Sequence, residues 1–175
     1  MKRHLSIIIL IIIIQQIGLC QINLDSLKIE LEKTFIQERS GNDWNAYTIK
    51  YLNQDSLVRF VIPFNRKDEI EESIWGIALS DFKYDEKGRE IERRYYDKKG
   101  MLHFSDWPPI IKIYYDDKDQ IIRKDYFGTT EKPVSGFARL EIDYNNEGEV
   151  IEERMYNGEY KLNGNRAIRQ SIIIN

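Results

Sequence analysis

The amino-acid sequence predicts a mainly β chain: an antiparallel meander of repeated β-hairpins in units of about 30 residues, with one N-terminal amphipathic helix. Three observations predict it. First, the segments 75–97, 108–127 and 136–156 align, with Tyr84, Tyr115 and Tyr144 in register. Seven residues after each tyrosine stands Ile91, Ile122 or Ile151, and an aromatic follows at Tyr96, Phe127 or Tyr156. Second, the opening run of each unit alternates: Ala78, Ser80, Phe82 and Tyr84 share one face, as do Ile111, Ile113 and Tyr115, then Ala138, Leu140, Ile142 and Tyr144. That is the two-residue period of a strand. Third, turn chemistry follows each run at Asp85–Gly88, Asp116–Asp119 and Asn145–Gly148. Glycine supplies positive φ there, and a leading Asp or Asn accepts a turn amide.

Residues 1–20 read as a signal peptide. Lys2, Arg3 and His4 precede the apolar run Leu5–Ile14, and Gly18-Leu19-Cys20 closes the segment. Gln15 and Gln16 interrupt the run before the roughly 20 apolar residues a membrane-spanning helix needs. The chain is therefore expected to be exported to the periplasm, outer surface or medium, and not integral to a membrane after cleavage. A lipid-modified Cys20 is the competing reading, and bulky Leu19 disfavours it. Cleavage after Cys20 removes the one cysteine, so no disulfide is expected to support the fold. It also leaves His103 as the one histidine. Of 26 basic residues Lys2 and Arg3 are lost, leaving 24 against 29 acidic ones, a net charge of −5. That balance disfavours nucleic acid and acidic lipid surfaces.

Residues 21–74 form an N-terminal section. Leu24, Leu27, Leu31 and Phe35 make one stripe at helical spacing, predicting an amphipathic helix over 23–39 that lies on a sheet face. Asn23 or Asp25 caps its start and Ser40-Gly41 ends it. Two strands, 46–51 and 57–62, flank the polar turn 53–56. Tyr51 and Val58 repeat the seven-residue interval of Tyr84 and Ile91, which marks a degenerate earlier unit. Residues 65–73 read as a charged connector, either solvated or a helical turn.

Residues 75–175 are the repeat section. Hairpin alternation favours a four-residue loop that pairs Tyr84 with Arg89 and Phe82 with Ile91. On the returning strands, positions 92, 123 and 152 read Glu, Arg, Glu, while 94, 125 and 154 read Arg, Asp, Arg. Neighbouring hairpins would then set opposite charges side by side. A truncated fourth unit runs from Ala167 to Ile173. Its apolar end, Ile172–Asn175, is an edge that predicts a homodimer or a strand-donating partner.

The run from Tyr84 to Ile91, followed by Tyr95-Tyr96-Asp97 and Gly100, resembles the YD repeats of RHS-type exported bacterial proteins. The spacing is also similar to MORN-like tandem repeats, and the leader resembles those of Bacteroidetes. The resemblance covers about 100 residues and implies repeated hairpins on secreted or cell-surface proteins, some of which bind carbohydrate and some of which encase toxins. Asp119 in place of the turn glycine and Asn145 in place of the aspartate depart from it. Three or four units are too few to enclose a cargo.

For chemistry, His103 alone cannot make the usual zinc set, and its neighbours Ser105 and Asp106 lack a nucleophile-elbow context. Asp116, Asp117 and Asp119 lack the spacing of an EF-hand loop. A carboxylate-pair hydrolase is disfavoured because the aspartates recur with the unit, as turn residues do. No catalytic residue, metal or cofactor is assigned. Tyr96, Tyr114, Phe127 and Tyr156 fall on the face opposite Phe82, Tyr84, Tyr95, Tyr115 and Tyr126, among Lys83, Glu92, Arg94 and Lys112. With Trp107 at the edge they form the expected binding surface for an envelope glycan or another exported protein. Loop cover over these rings is the competing reading. An immunity- or inhibitor-type partner of an exported toxin is the alternative function.

Overall fold

The protein, seen in a computed structural model, is described over residues 21–41, 46–103 and 107–167. The leader with Cys20, the Ser105 and Asp106 pair and the terminal run from 168 onwards lie outside the described residues. One helix, α1 (Leu24–Thr34), precedes ten strands: β1 (Ile36–Gly41), β2 (Tyr47–Leu52), β3 (Val58–Phe64), β4 (Leu79–Tyr84), β5 (Glu90–Tyr96), β6 (Ile110–Tyr115), β7 (Ile121–Phe127), β8 (Arg139–Tyr144), β9 (Val150–Tyr156) and β10 (Leu162–Ala167). They pair in chain order as one antiparallel meander.

The helix starts where the Asn23 carboxamide accepts the Ser26 amide at 2.9 Å, and buries Leu24, Leu27 and Leu31. It is shorter than expected. Phe35 turns extended and meets Phe60 edge-on, and Ile36–Gly41 becomes the edge strand β1, paired along β2. β1 is exposed along almost its whole length, so no apolar alternation marks it in the sequence.

One turn recurs at both ends of the hairpins. Asn53, Asn65, Asp85, Asp97, Asp116, Asn145 and Asn157 each accept, through the side-chain oxygen, the amides two and four residues on. Ser73 does the same through its hydroxyl. The fourth residue of each turn has positive φ, whether glycine (Gly88, Gly100, Gly148) or not (Ser56, Asp68, Asp119, Tyr160). The charged stretch 65–73 therefore holds one such turn, ends on the first residue of another, and contains no helix. The segment 47–77 is a complete unit, but its equivalent of Tyr84 is Leu52, not Tyr51, since Leu52 precedes the turn.

Five residues, one more than expected, separate the last paired positions of each hairpin, and a bulge restores the parity. Tyr84 pairs with Glu90, Ile91 is skipped, and Lys83 pairs with Glu92 and Phe82 with Arg93. Ile122, Ile151 and Arg59 are skipped in the same way. A bulge adds one residue to one strand. The faces therefore divide as alternation implied, while Ile91, Ile122 and Ile151 are left exposed at the bulges. The truncated fourth unit also starts earlier than Ala167. β10 begins at Leu162 and pairs back onto β9, with a register shift before Gly164.

The tyrosine before each turn ties its hairpin to the preceding one. The Tyr84, Tyr115 and Tyr144 hydroxyls donate to the carbonyls of Val58, Glu90 and Ile121, at 2.7, 2.9 and 2.9 Å. These acceptors are equivalent, each being the first residue after the previous turn. In the first unit apolar Leu52 stands at that place, opposite Ile36 of the edge strand β1.

The main core lies between α1 and one sheet face, where Leu24, Leu27 and Leu31 meet Tyr47, Tyr51, Ile62, Phe64, Ile70, Leu79 and Tyr96. Beyond Leu79 that same face turns ionic. Lys83, Glu92, Lys112, Asp125 and Arg139 are opposed in register across five strands, in alternating sign. Opposite charges do lie side by side, although each partner comes from the adjacent strand. Asp125 is 4% exposed, held by Arg139 at 2.7 Å and Arg123 at 3.5 Å.

Candidate binding groove

The expected aromatic row does not form an open platform. Tyr96 is 6% exposed beneath α1, because the helix covers the face on which it points. Burial pushes its hydroxyl pKa up to about 12. Tyr114, Phe127 and Tyr156 share that face farther along and are half-buried. The Arg123 guanidinium sits 3.6 Å from the Tyr114 ring centre, and the Lys112 ammonium 5.1 Å from that of Phe127. The Tyr156 hydroxyl donates to Glu141 at 2.7 Å. Their flanking cations and carboxylates, read from sequence as a polar setting around free rings, instead cap the rings. Of the predicted binding residues, Trp107 lines the cavity described next.

That cavity lies on the opposite face. About 470 Å³ in volume, it is lined from β2 and β3 by Thr48, Val61 and Pro63, and from β6 and β7 by Ile111, Ile113, Lys124 and Tyr126. On a flat sheet, β2 and β7 would stand about 24 Å apart, five spacings of about 4.8 Å. One cavity shared by both shows that the sheet curls around this face, as the twist of a long meander requires. The linkers between hairpins roof its rim. Trp75 and Trp107, 48% and 57% exposed, line it from the linkers that precede β4 and β6. The two linkers are locked together. Gly76, at φ +71°, lies so close to the His103 imidazole that a methyl group there would come within 2.5 Å of Nε2. The third linker sends Phe137 onto Tyr126, ring centres 4.5 Å apart.

The charged groups of the groove are few. Arg93 donates from Nε and Nη2 to the two Glu90 oxygens, each at 2.8 Å, and from Nη1 to the Tyr95 hydroxyl at 3.1 Å. Burial opposes the Arg93 charge, but these bonds outweigh it and raise the guanidinium pKa above its ordinary value. Arg93 and Glu90 therefore neutralise each other. Lys124, facing the same cavity between Ile113 and Leu140, forms no ion pair with any described residue. Burial pushes the Tyr126 hydroxyl up, keeping it protonated and able to donate.

Sequence reasoning missed Trp75, Tyr95, Tyr126 and Lys124. Trp75 and Trp107 did carry a signal: each stands in the linker just ahead of an opening strand. The remaining three fall on the face that alternation marked as packed, and only the curl of the sheet makes that face a groove.

The turn aspartates are occupied. Asp116 accepts two turn amides, and Asp119 pairs with Lys87 at 3.0 Å and with Arg89. Among the described residues no three metal-ligating side chains cluster, and no helix is long and apolar enough to cross a membrane. Fold and groove together define a mainly β hairpin-repeat protein with a concave aromatic face. No model of a known protein family matches the chain, and no curated protein does.

Proposed function

We propose that this chain is a non-enzymatic binding module whose ligand, a glycan segment of the cell envelope or surroundings, lies in the groove between Trp75 and Trp107. The observation that carries the reading is two solvent-open tryptophans at the rim of one cavity with an apolar floor. Its volume falls in the range of small-ligand sites, roughly 300–1,000 Å³. Exposed large aromatics that converge on one cleft are the usual mark of a binding surface. Indole faces stack on the C–H faces of sugar rings, and Ser80, Thr48 and the Tyr126 hydroxyl line the same cavity to meet ring hydroxyls. The leader-like residues 1–20 support export, and the turn-and-tyrosine pattern supports a YD-type repeat. Both belong to this proposal.

The test is retention of the purified chain 21–175 on immobilised envelope glycan. The wild type is compared with a Trp75→Ala, Trp107→Ala double variant whose unfolding midpoint matches it. Retention is expected to fall at least tenfold. Equal retention by the two would overturn the site. A Tyr114→Ala variant is expected to bind as the wild type does.

A further inference from the structure

We infer that the groove selects a saccharide carrying a carboxylate, and that Lys124 is the residue that selects it. The inference rests on the groove being a glycan site and adds the chemical class of the sugar. The argument begins with charge. Three charged side chains line the cavity: Glu90, Arg93 and Lys124. Glu90 and Arg93 cancel through a two-pronged ion pair, at 2.8 Å for each prong. Lys124 has no carboxylate partner among the described residues, although most other charges of the sheet are paired. On the opposite face Asp125, its sequence neighbour, is held by two arginines.

Lys124 is also half-buried, its in-register neighbours being Ile113 and Leu140. A half-buried ammonium with no ion pair to any described residue favours an anionic ligand, because charges taken from water need a partner. A neutral sugar in this groove would cover the ammonium without supplying an anion. A carboxylate on the ring supplies one and forms a charge-assisted hydrogen bond. The two tryptophans hold the ring, and Lys124 reads its acidic substituent. Two kinds of sugar carry such a group: a hexuronate, with the carboxylate at C6, and N-acetylmuramic acid, with it on the lactyl ether.

The probes are oligogalacturonate, its methyl ester, and a disaccharide of N-acetylglucosamine and N-acetylmuramic acid. Affinity is measured by calorimetry for the wild type, Lys124→Met and Lys124→Arg, after matching urea midpoints confirm folding. Lys124→Met keeps the apolar stem and removes the charge. It is expected to weaken binding of one acidic probe by about tenfold or more, the scale of a hydrogen bond to a charged group. The methyl ester should bind both proteins alike, Lys124→Arg should retain most of the affinity, and added salt should weaken only the acidic probe. Whichever acidic probe shows the loss identifies the source. Acid and ester binding equally, with Lys124→Met indifferent and Trp107→Ala still harmful, would overturn the acidic selection and leave the groove standing. Binding of neither acidic probe by the wild type would overturn it as well, and the Trp75 and Trp107 comparison on envelope glycan would then decide the groove separately.

Discussion

Removing the hydroxyls of Tyr84, Tyr115 and Tyr144 tests whether these tyrosines fasten one hairpin to the next. Phenylalanine keeps each ring in place and deletes one hydrogen bond, to Val58, Glu90 or Ile121 respectively. A buried or half-buried hydrogen bond contributes about 1 kcal/mol net, and more where its acceptor loses its partner. The three sites lie in separate units, so their effects should add, to about 3 kcal/mol in the triple variant. In a domain of this size, each kcal/mol lowers Tm by about 2–4 °C. Urea denaturation is the assay: midpoints should fall stepwise while the slope stays constant. Single Tyr→Phe variants with unchanged midpoints would refute the assignment.

Two further outcomes follow from the same geometry. Burial raises the pKa of Tyr84, Tyr115 and Tyr144 above the ordinary tyrosine value, and takes Tyr96 to about 12. Above pH about 10 the unfolded chain releases phenolic protons that the folded chain keeps, so stability must fall as pH rises through that window. Tm measured between pH 8 and 11.5 should drop, more shallowly in the triple phenylalanine variant; a flat profile would exclude the effect. Gly100→Ala should cost more than Gly88→Ala. Both glycines have positive φ, worth about 1–2 kcal/mol of strain for alanine. At Gly100, however, a methyl group would also stand 1.8 Å from the Ile22 carbonyl oxygen, against 3.5 Å from Leu57 at Gly88. The Gly100 variant should accordingly expose α1 to proteolysis and amide exchange, and equal costs with α1 still protected would contradict that docking.

Much of the fold was legible because repetition makes weak signals agree. One hairpin with Asp at its turn is a guess, whereas three in register fix the strand direction, the turn position and the division of faces. β1 was hidden because an edge strand exposed along nearly all its length carries no period. The bulges at Ile91, Ile122 and Ile151 were hidden because alternation reads parity, and a loop one residue longer plus a bulge leaves the same parity as the four-residue loop. That equivalence is why the faces came out right although the paired residues did not. Tyr96 illustrates the remaining gap. Its face was assigned correctly, but whether the face is open or covered depends on where α1 docks, and the residues flanking Tyr96 carry no information about a helix that ends at Thr34, far back in the sequence.

By itself, then, the sequence determined what local and periodic forces decide: strands from two-residue alternation, turns from Asx side chains and tolerated positive φ, and the meander from hairpins in series. Tertiary structure decided what depends on contacts between distant units. It set α1 on the Tyr96 face, aligned Lys83, Glu92, Lys112, Asp125 and Arg139 into one ionic row, and left Lys124 on the other face with no ion pair to any described residue. The physical reason is curvature. The twist accumulated over successive strands brings Thr48 and Val61 to the same cavity as Ile111 and Tyr126. No single repeat contains the information that its apolar face will become the wall of a groove.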